Sequence, residues 1–135
     1  MKIIIATLIA LTLAAPAVAA PTAQPMMVGE WRSIDDSRAL VEIRADGTWI
    51  DSYAGMPSAT TTSRWTLFSG GHPPKDVADQ TLDAKSTYLE VSDKDGPLVY
   101  AVDRVDAKRL ELIYLARGND LSYARVKAAG PPASR

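Results

Sequence analysis

Few side chains in this sequence could perform chemistry. His72 is the only histidine and there is no cysteine. Thiolate nucleophiles, thiolate metal sites, disulfides and lipid attachment to a cysteine are therefore excluded. His72 stands between Gly71 and Pro73 with no partner constellation around it, so it reads as an exposed loop imidazole. Ser122 and the run Thr60-Thr61-Thr62 have no base beside them to activate a hydroxyl. Asp93-Lys94-Asp95-Gly96 opens like a calcium loop but lacks the bidentate glutamate that such a loop requires downstream. Asp35, Asp36 and Asp51 supply carboxylates at no spacing that defines a cleft, and read as solvated turn residues. The expectation is a protein that is not an enzyme and takes no cofactor or metal.

Aromatic surface is what remains. Trp49, Tyr53, Trp65, Tyr88, Tyr100 and Tyr114, with Tyr123, combine apolar rings with polar tips, the usual lining of a small-molecule site. These residues are the expected binding set for a small apolar or amphipathic molecule. The same residues would equally serve as an ordinary aromatic core. Lys and Arg number 15 against 16 Asp and Glu. That leaves none of the basic excess on which phosphate-backbone binding depends, and nucleic acid is not an expected partner.

These side chains need a scaffold, and its first segment reads as an address. Met1-Lys2 is followed by the apolar run 3–13 and then by Ala17-Val18-Ala19, the order of a secretory signal peptide. The run is shorter than the roughly 20 apolar residues a membrane-spanning helix needs, so no stable membrane anchor is expected. Residues 1–19 are read as the signal, with cleavage near Ala19 or Ala20 and a periplasmic or secreted destination. Residues 20–27, with two prolines, read as a flexible leader, and 128–135 as a disordered tail. At 135 residues the chain has room for one domain, which is placed at 28–127.

Within it, short apolar or β-branched runs recur between Gly, Pro, Asn and Asp clusters, which is the strand signal. Strands are expected at 28–33, 39–44, 48–53, 64–68, 87–92, 98–105, 109–115 and 121–126. Asp46-Gly47 marks a two-residue hairpin turn. The segment 69–76, with paired glycines and paired prolines, is the longest irregular loop, and Asp76 could cap a short helical turn after it. About eight strands joined by short turns point to an all-β fold, an antiparallel up-and-down barrel that closes on itself and leaves no exposed edge. An open sandwich is the alternative. Alternation turns Val41, Ile43, Trp65, Leu67, Leu89, Val91, Leu110, Leu112 and Tyr114 inward.

Gly29-Glu30-Trp31 opens the first strand, Asp46-Gly47-Thr48-Trp49 forms a hairpin, and Arg125 lies in the last strand. This pattern resembles the small bacterial lipocalin-like (calycin) domains. The resemblance implies that Trp31 plugs one barrel end, that Arg125 packs over its ring, and that Gly29, Trp31 and Arg125 are structural closure residues. It also implies a ligand held at the other end. A second resemblance, to bacterial periplasmic metalloprotease inhibitors, would make the barrel a periplasmic protein-interaction module with the leader as its inserting segment. A lumen of several hundred Å³ would favour ligand binding; a filled one would favour the interaction module.

Overall fold

The computed structural model describes residues 23–128, so the expected signal 1–19 and the tail beyond residue 128 lie outside the described residues. Eight strands follow one another: β1 (Gly29–Ser33), β2 (Ala39–Ile43), β3 (Thr48–Tyr53), β4 (Thr61–Ser69), β5 (Thr87–Asp93), β6 (Gly96–Val105), β7 (Arg109–Tyr114) and β8 (Asn119–Ala128). Each pairs antiparallel with its sequence neighbour, and β1 pairs with β8 to close the barrel. Closure satisfies the backbone groups that an edge strand would leave open. The architecture is that of a lipocalin-like up-and-down barrel. Among the described residues no helix is long and apolar enough to cross a membrane.

The strands lie where side-chain alternation puts them, with shifts at their ends. β4 starts three residues before the expected 64–68 and ends one after it, and β8 runs past 121–126 at both ends. The β2–β3 connection departs from a two-residue turn. The Arg44 N–H donates to the Thr48 carbonyl and the Gly47 N–H to the Arg44 carbonyl, so the loop comprises residues 45–47. Gly47 ends it at φ +90°, the left-handed position a three-residue hairpin demands. The Asp46 carboxylate accepts from the Thr48 N–H at 2.9 Å.

Inside the barrel, Val41, Ile43, Trp65, Leu67, Leu89, Val91, Leu110 and Leu112 join Trp31, Trp49 and Met27 in one buried cluster. Every inward residue expected from alternation is present except Tyr114, which is only partly buried. The leader is less free than its prolines suggest. Gln24–Met27 forms a short helix, α1, and Met27 is fully buried, with the Trp31 indole donating to its carbonyl at 2.9 Å. An apolar side chain within reach of the barrel core is held there because burial is favourable.

A second cluster forms outside the barrel. Phe68, Val77, Tyr88 and Val99 pack together beneath the β4–β5 connection, residues 70–86. The helical turn after Pro74 is a 3-10 turn at Lys75–Val77, and the Asp76 side chain does not cap it. Because this segment covers the outer face, β5 is buried on both sides from Tyr88 to Val91. Glu90 is caught under it with 6% of its surface exposed, accepting from the Ser92 hydroxyl at 2.7 Å. Burial pushes the Glu90 carboxyl above its ordinary value, opposed by the Ser92 hydrogen bond and reinforced by Asp76 of the covering segment. Its register partners Thr66 and Val99 bring no charge to offset it.

A folded-state pKa above the unfolded one means that the native protein binds the Glu90 proton more tightly, so stability falls as pH rises from about 4.5 through the folded value. Glu90→Gln keeps an acceptor for Ser92 and offers Asp76 a donor. We expect it to raise the thermal midpoint at pH 7 by roughly 4–8 °C, the equivalent of about 1 kcal/mol, with the gain vanishing below pH 4. A gain that is constant across that range would show that the carboxylate's charge is not the cause. Asp106 has the opposite sign. Backbone N–H donation from Lys108, with the Arg104 guanidinium and the Arg109 N–H, lowers its carboxyl to about 2. Its contribution is present above the ordinary carboxylate range and is lost as pH falls towards 2.

Candidate functional site

The two barrel ends differ. Antiparallel order places the β2–β3, β4–β5 and β6–β7 connections and both termini of the described chain at one end, and the other four connections at the opposite end. The first end is sealed. Trp31 has no exposed surface, and the Arg125 guanidinium carbon lies 4.1 Å from its ring centroid. Arg125 also ties three chain segments together. Its Nε donates to the Ala107 carbonyl at 2.8 Å, Nη1 to Val28 at 2.8 Å, and Nη2 to Met26 at 2.6 Å and Asp106 at 3.3 Å. Desolvation lowers the Arg125 pKa, opposed by the charge of Asp106. Gly29 is buried at the start of β1, paired with Ile43 and Ala128. Trp31 and Arg125 are direct register partners across the β1–β8 seam.

The opposite end is open. A cavity of about 560 Å³ lies between the ends of β2 and β3, lined by Ala39, Val41, Asp51, Tyr53 and Tyr123 and roofed by Met56 and Ala59 from the β3–β4 loop. That volume falls among small-molecule sites, which run about 300–1,000 Å³. Arg38 stands at its rim with its guanidinium 4.8 Å over the Tyr53 ring, 3.8 Å from the Asp36 carboxylate. The Tyr53 hydroxyl donates to Asp36 at 2.8 Å. Asp36 is thereby held below the ordinary carboxylate range, chiefly by the Arg38 N–H and then by Tyr53, while its acceptance raises the Tyr53 pKa.

Asp51 is the deeper ionisable group. Period-two alternation along β3 sends Trp49, Asp51 and Tyr53 inward together, so Asp51 is a lumen residue, correcting its reading as a solvated turn carboxylate. Its Oδ2 accepts from the Trp49 indole N–H at 3.0 Å. Burial pushes the Asp51 carboxyl above its ordinary value, opposed by that hydrogen bond. The effect spreads to its neighbours. The Tyr100 hydroxyl is pushed up to about 12 by burial, with the charge of Asp51 and then Tyr114 adding to it. Tyr123 rises further, by burial first and then by Asp51 and Tyr100.

Of the six aromatics expected to bind a ligand, Tyr53 lines the cavity directly. Trp49 reaches it through its hydrogen bond to Asp51. Tyr100 and Tyr114 are register partners that face each other in the lumen, with centroids 5.3 Å apart. Trp65 is a core residue whose indole donates to the Arg44 carbonyl at the sealed end, at 2.8 Å. Tyr88 is on the outer face, stacked on Phe68 with centroids 5.6 Å apart, and its hydroxyl accepts from the Asp83 N–H. The alternation that turns Leu89 and Val91 inward already requires Tyr88 to point outward. His72 is in the β4–β5 connection, and Asp93 and Asp95 form a local turn in which Asp93 accepts from the Asp95 N–H at 2.7 Å. Asp51, Tyr123 and Met56 complete the site. The first two were legible from strand parity; Met56 is brought there only by the folding of its loop.

Comparison of the chain with protein-family models, with curated proteins and with solved structures found no match.

Proposed function

We propose that this is an exported lipocalin-like binding protein that holds a small apolar or amphipathic molecule at the open barrel mouth without transforming it. The observation that carries this reading is the cavity of about 560 Å³ at one end of a barrel whose other end is packed by the buried cluster. Its walls combine Val41, Met56 and two tyrosine rings with a few polar groups, the composition that fixes a small molecule's orientation. Exposed Ile34, Met56 and Leu98 all belong to the open end and give its rim an apolar character. The tyrosine hydroxyls of the cavity are pushed away from ionisation, which suits holding a ligand and not attacking it. The apolar run 3–13 before Ala17-Val18-Ala19 supports a periplasmic or secreted location.

The test is a titration with the neutral fluorescent probe N-phenyl-1-naphthylamine. Saturable enhancement is expected for the wild-type protein. Ala39→Trp, which places an indole in the cavity, should weaken it by about tenfold or more, about 1.4 kcal/mol. Non-saturable binding, or equal binding by the variant, would sink the proposal.

A further inference from the structure

The cavity contains a charge that its own walls do not balance. Asp51 is half-buried in the lumen, where a carboxylate loses hydration and needs compensation. Trp49 is its one hydrogen-bond donor among the described residues, and no Lys or Arg among them forms an ion pair with it. No buried side-chain oxygen among these residues is left without a partner, so Oδ1, which accepts no protein hydrogen bond, opens onto the cavity. The rim cation does not serve it, because Arg38 is engaged by Asp36 and the Tyr53 ring.

We propose that the mouth cavity selects molecules bearing a protonated amine on an apolar body, with Asp51 as the counter-ion and Tyr53 and Tyr123 as aromatic walls. The inference rests on the ligand-binding reading and names the head group of that ligand. An ammonium offers the hydrogen bonds that Oδ1 lacks, and such charge-assisted bonds are short and strong. Tyrosine ring faces attract cations, more so where water is excluded. A carboxylate-bearing amphiphile would instead meet Asp51 as a like charge, and a neutral alcohol would leave the charge unbalanced. The upward push on the Asp51 carboxyl is the desolvation that a bound cation would relieve.

Octylamine, octanol and octanoate share one apolar chain and differ in head group, so calorimetric titration of the three at pH 7 isolates the head. Octylamine should bind about tenfold or more tighter than octanol, with octanoate weakest. Asp51→Asn keeps an acceptor for the Trp49 indole and removes the charge. It should erase the octylamine preference, bringing the octylamine and octanol affinities of the variant within about twofold of each other, with an unchanged thermal midpoint or a higher one confirming the fold. If octanol binds saturably but octylamine gains nothing over it, or if Asp51→Asn leaves the amine preference intact, the amine proposal fails and the binding cavity stands. If none of the three binds, both fail together.

Discussion

Trp31→Ala is expected to remove about 3–5 kcal/mol of stability, the range for deleting a fully buried aromatic side chain. Domains of this kind hold only about 5–15 kcal/mol in total, so the thermal midpoint should drop by well over roughly 10 °C. Three losses coincide. The indole has no exposed surface within the main cluster, its N–H holds the Met27 carbonyl, and its face receives Arg125. Removing it opens a void at the sealed end and frees α1 from its seat. Arg125→Lys tests the other half of the seal. A lysine keeps the charge but presents one ammonium where the guanidinium reaches four carbonyls on two segments. It should lower the midpoint by less than Trp31→Ala and increase amide exchange around residues 26–28 and 106–107. Circular-dichroism melts of both variants decide the matter. A fall of under about 5 °C for Trp31→Ala, near the shift expected from 1 kcal/mol, would show that the seal is not a principal source of stability.

Gly70→Ala is expected to detach the segment that covers the outer face. A methyl group at this position would collide with the backbone carbonyl of Asp83 and lie 2.8 Å from the Tyr88 ring. Neither can yield without moving the 70–86 segment, whose ends are tied by Gly70 N–H donation to Ser86 and Gly71 N–H donation to Ala84. Overpacking of this kind costs about 1–3 kcal/mol or more. The visible effect should be local opening: faster tryptic cleavage at Lys75 and Lys85, and greater solvent access to Phe68, Val77 and Tyr88. Gly71→Ala is the control, because its nearest atom is the Ala84 carbonyl at 3.2 Å, a tight contact that small shifts relieve. The covering segment lies outside the barrel, so probe binding at the mouth should persist in Gly70→Ala. Cleavage rates equal to wild type would show that the segment is not clamped at this glycine.

The fold was largely legible because two-residue alternation is a local property. Leu89 and Val91 could be turned inward without knowledge of any neighbouring strand, and eight such runs with short turns leave closure as the simplest way to remove both edges. The seal was legible through Gly29-Glu30-Trp31 and Arg125, and the structure makes Trp31 and Arg125 register partners. The candidate site was legible only in part. Tyr53 and Tyr100 face inward by parity, but parity had to be applied consistently to move Tyr88 outside and Asp51 inside. Leader residues 24–27 read as flexible because their composition lacks periodicity; Met27 is nevertheless fully buried, because a single apolar side chain can be held by a core assembled from distant strands.

By itself, then, the sequence determined the strand runs, the alternating faces of their side chains and the absence of cysteine chemistry, which follow from backbone geometry and residue type acting over a few positions. The pair that seals one end was legible only through the resemblance to lipocalin-like domains. Tertiary structure alone decided that the lumen is filled at one end and open at the other. It also decided that residues 70–86 bury Glu90 against Asp76, and that Arg38 is occupied by Asp36 while no Lys or Arg among the described residues pairs with Asp51. The physical reason is that cavity volume, desolvation and charge balance depend on which distant groups share a space, and barrel closure sets that sharing through strand register and tilt.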